Sequence, residues 1–249
     1  MSVDSPPEAA SEQLDESALP QIIFRCAEED EGVIAEPMPA RAMIPDWFKR
    51  LPPVDRTSVG PSGSGQTVKR CLPFLDALSF GWILPLAATV RFEVSEGGTK
   101  IDCGWDFDKE MVSPHGAGQV AGHPRLPMPP MKFHNYWTIE TPLGWSCLFI
   151  PPINRPDPRF EIASGLVDTD AYRTLIHFPF FATVGDGVYV VEKGTPLAQI
   201  IPFQRSASPL GMRADVRVET DAEARERERL RRVTNADVGW YRENARSQR

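Results

Sequence analysis

The stretch SGLVDTDAYRT, residues 164–174, joins the end of an apolar run to an acidic turn. Gly165 precedes two apolar residues, then Asp168 and Asp170 at positions i and i+2, and then Tyr172. A glycine before an acidic turn permits a tight backbone beside a ligand, and a well-placed carboxylate is a competent general base. Asp-x-Asp turns also bond their own backbone in many proteins. The stretch therefore predicts a turn between two strands, with either a structural or a ligand-binding role.

Outward from this turn, apolar and polar residues alternate in short runs over most of residues 69–205. The runs ATVRFEV and TKIDCGW flank the turn sequence Glu96-Gly97-Gly98 and predict a β-hairpin. Turn signals recur every ~8–12 residues, which is typical of a sandwich or a barrel. The chain also has 25 prolines, and these disfavour long helices. The predicted fold class is therefore all-β.

Composition divides the chain into four predicted segments. Residues 1–18 are small and acidic, which is typical of a disordered tail. Residues 19–68 form a lead-in segment and a Gly/Ser-rich linker, and residues 69–205 form the β core domain. Residues 206–249 form a charged helical arm, in which Thr220 to Glu223 has the spacing of a capping box.

Bulk properties limit the classes of partner. The formal net charge of −7 argues against a nucleic-acid partner, which would require a basic face. The N-terminus lacks the apolar region of a secretory signal, and no apolar run approaches 18 residues. The four cysteines show no CxxC spacing, which favours reduced thiols. A cytoplasmic protein without a membrane partner is expected.

Three stretches carry a resemblance to a known family: WTIETPLGWSCLFI, SGLVDTDAYRT and VEKGTPLAQIIPF. Their order and spacing resemble the trimeric dUTPase and dCTP deaminase family over residues 138–203. The resemblance implies a dUTPase-like β-clip barrel or sandwich and a homotrimer with sites between subunits. Residues 69–205 also resemble an uncharacterised family of bacteria and tailed phages, which implies no particular activity.

The resemblance also implies roles for individual residues. Asp168 matches the catalytic residue that orients or deprotonates a water, Tyr172 matches a residue that stacks under a sugar, and Gln199 matches a phosphate or metal-water ligand. Read from the residue types alone, Tyr172 also fits a core aromatic, and Gln199 also fits a bond to a neighbouring strand. The predicted ligand-binding set is Asn154, Arg155, Asp170, Tyr172 and Gln199.

Three departures from the family pattern weaken the case for triphosphate hydrolysis. Ala171 is an extra residue before the tyrosine, and it would turn that side chain to the opposite face unless a bulge absorbs it. Residues 151–156 read PPINRP, where the family has Pro-Arg-Ser-Ser, so the hydroxyl pair is missing. A charged helix replaces the family's glycine-rich C-terminal segment. The missing hydroxyl pair and glycine-rich segment are the groups that would stabilise the charge on the phosphoryl group during its transfer.

A Gly/Pro-rich segment at 113–136 contains three of the four histidines: His115, His123 and His134. Their spacing is wider than that of zinc fingers or HExxH helices, but loop residues can converge. With Asp106 or Asp108, they would form a two-His-one-carboxylate site for a divalent metal ion, Fe or Mg. The alternative is that they are loop histidines bonded to backbone, and His177 is expected to be a core histidine.

These observations leave two classes of function open. The first is a non-hydrolytic module that binds a small molecule or protein partner through the loop 113–136 and the turn 151–172. The second is an enzyme: either a divergent deoxynucleotide hydrolase using Asp168, or a non-heme metal enzyme using the three loop histidines.

Overall fold

The structure is a computed structural model that describes residues 19–55, 57, 65–207, 211–236 and 239–247. The predicted disordered tail, residues 1–18, lies outside the described residues, as does most of the predicted linker.

Within the described segments the chain forms fourteen β-strands and three α-helices. The strands are β1 (Ile23–Arg25), β2 (Met38–Pro39), β3 (Trp82–Pro85), β4 (Val90–Ser95), β5 (Lys100–Trp105), β6 (Val112–Pro114), β7 (Met131–Phe133), β8 (Thr138–Glu140), β9 (Trp145–Ile150), β10 (Phe160–Ile162), β11 (Gly165–Val167), β12 (Phe178–Ala182), β13 (Gly187–Val191) and β14 (Pro196–Gln204). The helices are α1 (Asp46–Arg50), α2 (Leu72–Ser79) and α3 (Asp221–Ala236). The core is all-β and a C-terminal helix follows it, which confirms the predicted fold class.

All strand pairs between these elements are antiparallel. A five-stranded sheet has the order β11-β9-β14-β3-β2, and a four-stranded sheet has the order β10-β12-β7-β6. A three-stranded sheet has the order β13-β4-β5, and β1 pairs with β8. Within the five-stranded sheet, Cys147 of β9 lies opposite both Val167 of β11 and Pro202 of β14. The start of β9 and the ends of β11 and β14 therefore meet at one end of that sheet.

Side-chain alternation explains how the strands divide between core and solvent. In β4, Val90, Phe92 and Val94 are buried, whereas Arg91 and Glu93 face solvent. Successive side chains of a strand point to opposite faces, so a period of two buries one whole face. The core contains several aromatic side chains, including a stack of Phe133 on Phe180 with ring centroids 3.9 Å apart.

The predicted hairpin is present: β4 pairs with β5 from Val90↔Trp105 to Ser95↔Lys100. Its turn places Glu96, Gly97 and Gly98 at positive φ, the region that glycine tolerates best. The carboxylate of Asp186 accepts hydrogen bonds from the amides of Gly97 (3.1 Å) and Gly98 (3.0 Å) and so ties the turn to a neighbouring loop.

The lead-in segment contributes strands to sheets that otherwise come from later in the chain. β1 pairs with β8, matching Phe24 with Ile139, and β2 pairs with β3. Ile34 is buried in the main core, and the indole nitrogen of Trp137 donates to the carbonyl of Ala35 at 3.0 Å. Residues 19–55 are thus packed into the same body as the predicted core domain.

The link between α2 and β3 depends on one glycine. Gly81 has a φ of +72°, in the left-handed region of backbone conformation. A β-carbon at this position would lie 2.1 Å from the carbonyl oxygen of Ile200 in β14. Only glycine therefore allows the chain to pass this close to the sheet.

The C-terminal arm has the predicted capping box. The amide of Thr220 donates to Glu223 Oε2 at 2.7 Å, and the amide of Glu223 donates back to Thr220 Oγ1 at 3.4 Å. Because Glu223 serves the cap, Arg227 pairs with Glu219 at 2.7 Å, and not with Glu223 as an i,i+4 interpretation would have it. At the far end, Arg246 makes a bidentate ion pair with Asp76 of α2 at 2.6 and 2.9 Å.

All four cysteines are free thiols. In the part of the chain that the structure describes, no helix is both long enough and apolar enough to cross a membrane.

Candidate functional site

The acidic turn at 168–171 lies at the end of the five-stranded sheet, directly after β11. Asp168 is exposed, with 58% of its side chain accessible, and the side chain of Asp170 is 3% accessible. Between them, Thr169 is fully buried and bonds Thr141 Oγ1 at 2.7 Å and Cys147 Sγ at 3.3 Å. The buried threonine fixes the turn, which leaves the Asp168 carboxylate exposed and the Asp170 carboxylate enclosed by protein groups.

The two carboxylates have different partners. Asp168 Oδ1 accepts a hydrogen bond from Ser146 Oγ at 2.6 Å, across the β9–β11 pair. Asp170 accepts from the amide of Gly144 at 2.7 Å and from both Nη atoms of Arg205, at 2.6 and 2.9 Å. Arg205, from the end of β14, also lies 3.5 Å from Asp168. The result is a connected network of one guanidinium, two carboxylates and one hydroxyl.

Electrostatics in this network favour the charged forms. The hydrogen bond from Arg205, with a smaller contribution from the amide of Gly144, lowers the pKa of Asp170 to about 2. The same pairing raises the pKa of Arg205. Asp170 is therefore a permanent anion that is already neutralised by protein groups, and such a carboxylate is a poor proton acceptor. Asp168 keeps an accessible edge, and it is the one carboxylate of the network on which a water could be held.

The extra residue Ala171 is absorbed in the turn and does not enter a strand. The amides of Ala171 and Tyr172 both donate to the carbonyl of Asp168, at 3.1 and 2.8 Å. Tyr172 follows this turn with 49% of its surface exposed. Its ring is therefore available to a ligand, and its predicted role in binding stays a prediction.

The predicted residues of the 151–155 turn and of β14 lie on the opposite side of β9. Gln199 is fully buried; its Oε1 accepts from the amide of Ile153 at 2.8 Å, and its Nε2 donates to the carbonyls of Ala77 (3.1 Å) and Phe80 (2.6 Å). All of these partners are protein atoms. Gln199 therefore holds the turn against α2, and none of these contacts involves the acidic turn.

Arg155 has a similar anchoring environment. Its Nη1 donates to the carbonyl of Met43, its Nη2 donates to the carbonyl of Leu78 at 2.6 Å, and its Nε is buried without a hydrogen-bond partner. Burial lowers the pKa of this guanidinium. Asn154, next to it, is exposed and adopts a positive φ of 56° at the tip of the turn. The structure does not bring Asn154, Arg155 and Gln199 together with Asp168 and Asp170 through any direct contact.

The loop histidines occupy separate environments. His123 stacks on Phe181 with ring centroids 4.6 Å apart, and its Nδ1 accepts from the amide of Arg125 at 3.2 Å. The amide of His115 bonds the carbonyl of Pro130 at 2.9 Å. The ring of His123 thus bonds a backbone group, as in the alternative role of the loop histidines, whereas the bond of His115 is made by its main chain and not by its ring.

His134 pairs with His177 and with no other predicted metal ligand. Their ring centroids are 4.5 Å apart, and His134 Nε2 lies 2.7 Å from Ser113 Oγ and 3.3 Å from Glu110 Oε2. Nδ1 of His177 accepts from the amide of Asn135 at 3.2 Å. Burial, and then the neighbouring His134, lower the pKa of His177 to about 4, and burial lowers the pKa of His134.

The side-chain positions do not fit the predicted metal centre. Across the described ranges, no group of three or more His, Cys, Asp or Glu side chains is arranged to hold a metal ion. His115, His123 and His134 have different neighbours, as described above, so the structure does not gather them into one coordination shell. A site for Mg or Fe formed by these three residues is therefore not supported.

A groove lies where the loop 113–136 meets the turn 151–158. It consists of two adjoining cavities, of about 640 and 310 Å³, that share Arg125, Pro151, Glu161 and Ile162. The stacked pair of His123 and Phe181 lines the larger cavity. Further prolines and Phe160 line the smaller cavity. Arg125 and Glu161 form an ion pair at the junction, with 41% and 52% of their side chains exposed.

Four residues were not assigned to these sites from the sequence: Ser146, Arg205, Arg125 and Glu161. Ser146 is identified only by the β9–β11 register, which places it beside the acidic turn. Arg205 immediately follows β14, and the register of β11, β9 and β14 brings that end of the strand to the acidic turn. Arg125 and Glu161 are 36 residues apart in sequence, and no local pattern joins them.

Comparison with known proteins gives distant structural likenesses only. No family model matches the chain, and no curated protein sequence matches it significantly. A mutant dUTPase from phage phi11 of S. aureus, whose structure concerns coordination of a structural Mg(II) ion, is similar with a TM-score of 0.35 and 11% identity over 81% of this chain and 97% of that chain. A mutant dUTPase of Staphylococcus bacteriophage 80alpha with dUpNHpp has a TM-score of 0.35 and 10% identity over 81% of this chain and 92% of that chain. Both values are those of a distant dUTPase-like similarity.

Proposed function

We propose that this protein is a non-hydrolytic binding module whose ligand lies in the groove between the loop 113–136 and the turn 151–158. The observation that carries the proposal is the junction of the two cavities, where Arg125 and Glu161 meet. Concave sites with mostly apolar linings and a few converging polar groups are the usual form of small-molecule sites.

The lining of the groove indicates the kind of ligand. Prolines and the His123–Phe181 stack offer flat apolar surfaces, against which a planar ring can pack. Arg125 and Glu161 each keep an exposed edge, so a ligand carboxylate or phosphate can replace Glu161 as the partner of Arg125. We therefore propose a small molecule with a planar apolar part and an anionic group.

The test is a thermal-shift screen of the full chain against aromatic carboxylates, nucleosides and deoxynucleoside triphosphates. A ligand present at about one hundred times its Kd stabilises the native state by about 2.7 kcal/mol. Arg125→Gln should weaken binding of the hit at least tenfold. Arg173→Gln removes an exposed charge outside the groove and should leave binding unchanged.

The screen can contradict the proposal in two ways. Absence of any stabilising compound of these classes would count against the groove, and so would a hit that binds Arg125→Gln and the parent chain equally well. Hydrolysis of any bound nucleotide would contradict the non-hydrolytic part of the proposal. Metal analysis of the purified protein would test the metal-enzyme hypothesis separately.

A divergent deoxynucleotide hydrolase is the second candidate, and the accessible edge of Asp168 favours it. Asp168 would hold a water for attack on a phosphate, with Ser146 and Arg205 fixing its carboxylate. Asp168→Asn should abolish turnover of any deoxynucleoside triphosphate and leave the melting temperature nearly unchanged. If no nucleotide in the panel is hydrolysed by the parent chain, this candidate fails.

The resemblance to the dUTPase family implies a homotrimer, and we keep this as a proposal for the core domain. Light scattering gives the mass of the particle in solution directly. A particle that contains fewer than three chains would rule the trimer out.

A further inference from the structure

The segment that joins the core to α3 has an exposed apolar face. Residues 212–219 read MRADVRVE and form neither helix nor strand. Met212, Val216 and Val218 are 77%, 96% and 94% exposed. Three large apolar side chains this exposed, in alternation with charged residues, make an amphipathic strand sequence that pairs with no strand among the described residues.

The order of charges shows which partner fits. Arg213, Asp215, Arg217 and Glu219 alternate with the apolar residues. If the segment pairs antiparallel with a second copy of itself about Val216, Arg213 lies opposite Glu219 and Asp215 lies opposite Arg217. Every charged pair is then an opposite pair, four across the two copies. Directly opposed charges of opposite sign stabilise a strand pair, whereas like charges destabilise it.

Neighbouring registers do not have this property. A shift that centres the pair on Asp215 places Asp215 opposite itself and Arg213 opposite Arg217. A shift that centres it on Arg217 places Arg217 opposite itself and Asp215 opposite Glu219. A register centred between two residues puts apolar side chains opposite charged ones. The charges therefore select one register among the nearby alternatives.

We infer that residues 212–219 form an antiparallel two-stranded interface with the same segment of a second copy of this chain. Because residue i faces residue j and j faces i, the contact is two-fold symmetric. In it, Val216 packs on Val216 of the second copy, and Ala214 packs on Val218. The single chain holds ion pairs of Arg217 with Asp215 and of Arg227 with Glu219, and these are exposed, so exchanging them for intermolecular pairs costs little.

The inference does not depend on the proposed ligand groove, because it uses only the arm. It is also compatible with a trimeric core, since one two-fold contact joins two cores whatever number of chains each contains.

Disulfide trapping tests the pairing in the full chain. Val216→Cys places one thiol on the two-fold axis, where directly opposed Cα atoms of antiparallel strands are about 4.5–5.5 Å apart, a spacing that a disulfide spans. Cys71 is the one cysteine with an exposed residue surface, so Cys71→Ser is made in every variant to remove it. Oxidised glutathione serves as the oxidant, and the covalent dimer is measured on a non-reducing gel.

Register and charge are tested by matched variants. Val218→Cys should form the dimer at least tenfold more slowly than Val216→Cys, because residue 218 faces Ala214 and not itself. Adding Asp215→Arg to Val216→Cys creates two Arg–Arg pairs and should slow dimer formation at least fivefold. Adding Arg217→Asp as well restores opposite charges and should restore the rate.

The inference is overturned if Val216→Cys stays monomeric under oxidation, if Val218→Cys reacts as fast, or if Asp215→Arg has no effect. Unchanged melting temperatures across the series would show that the variants remain folded. A rate that falls as salt is added, in the chain with native charges, would support the role of the exposed pairs.

Discussion

Replacement of Gln199 by leucine separates a structural role from a ligand-binding role. Leucine has about the same size but cannot bond, so Gln199→Leu removes the hydrogen bonds to the amide of Ile153 and to the carbonyls of Ala77 and Phe80. All three partners lie around a side chain with no solvent exposure. If these bonds hold the 151–155 turn against α2, the fold itself loses stability.

The magnitude follows from the groups left unpaired. A buried donor or acceptor without a partner costs about 1–3 kcal/mol. Phe80 is 48% exposed, so we expect water to compensate for the bond lost at its carbonyl. The amide of Ile153 loses its bond to Gln199, and the carbonyl of Ala77 keeps only a 3.4 Å bond from the amide of Phe80, so these two groups give a total of about 2–6 kcal/mol. Since a domain is typically stable by about 5–15 kcal/mol, this is a large share of the total.

Urea denaturation followed by tryptophan fluorescence measures the change. With a slope of about 2.5 kcal/mol per molar urea, a loss of about 4 kcal/mol lowers the midpoint by about 1.5 M. Gln204→Leu is the matched control, because Gln204 lies at the exposed end of the same strand and should change stability by less than about 0.5 kcal/mol. A loss below about 1 kcal/mol for Gln199→Leu would refute the structural role and leave the amide free for a ligand.

Three further predictions concern stability. The pKa of His177 is lowered from 6.5 to about 4, so its neutral form stabilises the fold above pH 6.5. This contribution, about 1–2 kcal/mol after solvent screening, is lost as the pH falls from 6.5 to 4. His177→Gln should therefore make the urea midpoint depend less on pH over that range. Arg205→Gln should raise the pKa of Asp170 from about 2 toward 3.8, so the part of the stability that the parent chain loses through Asp170 as the pH falls from 3.8 to about 2 should become smaller in a circular-dichroism titration. Gly81→Ala forces a β-carbon to 2.1 Å from a carbonyl oxygen at positive φ and should cost at least about 2 kcal/mol in the same urea assay, whereas Gly185→Ala, which has open space, should cost less.

Local patterns predicted the local structure well. Alternation predicted β4 and β5, the Glu-Gly-Gly turn predicted their hairpin, and the capping spacing predicted the start of α3. In each case the physical cause lies within a few neighbouring residues. Glu223 and Arg227 have the i,i+4 spacing of an ion pair, but the cap uses the Glu223 carboxylate and Arg227 pairs with Glu219.

Contacts between distant residues were less predictable. The apolar start of the lead-in is typical of a short strand, but nothing in the local sequence indicates that β1 would pair with β8, that β2 would pair with β3, or that Arg205 would bond Asp170. These contacts depend on strand register over more than thirty residues, and in the lead-in over about one hundred. Residue type alone also left two roles open for Gln199, and its burial places its bonds within the fold.

The pairing of β1 with β8 has a consequence for how the chain reaches its native state. Arg25 and Glu140, which join these strands by an ion pair, are 115 residues apart. During synthesis the first strand therefore leaves the ribosome long before its partner exists. Until then its apolar residues have no sheet to pair with. Such non-local pairing slows folding and exposes strands to association with other chains in the meantime. A fragment that begins at residue 69 would have no such unpaired early strand, but it would lack the strands that pair with β3 and β8.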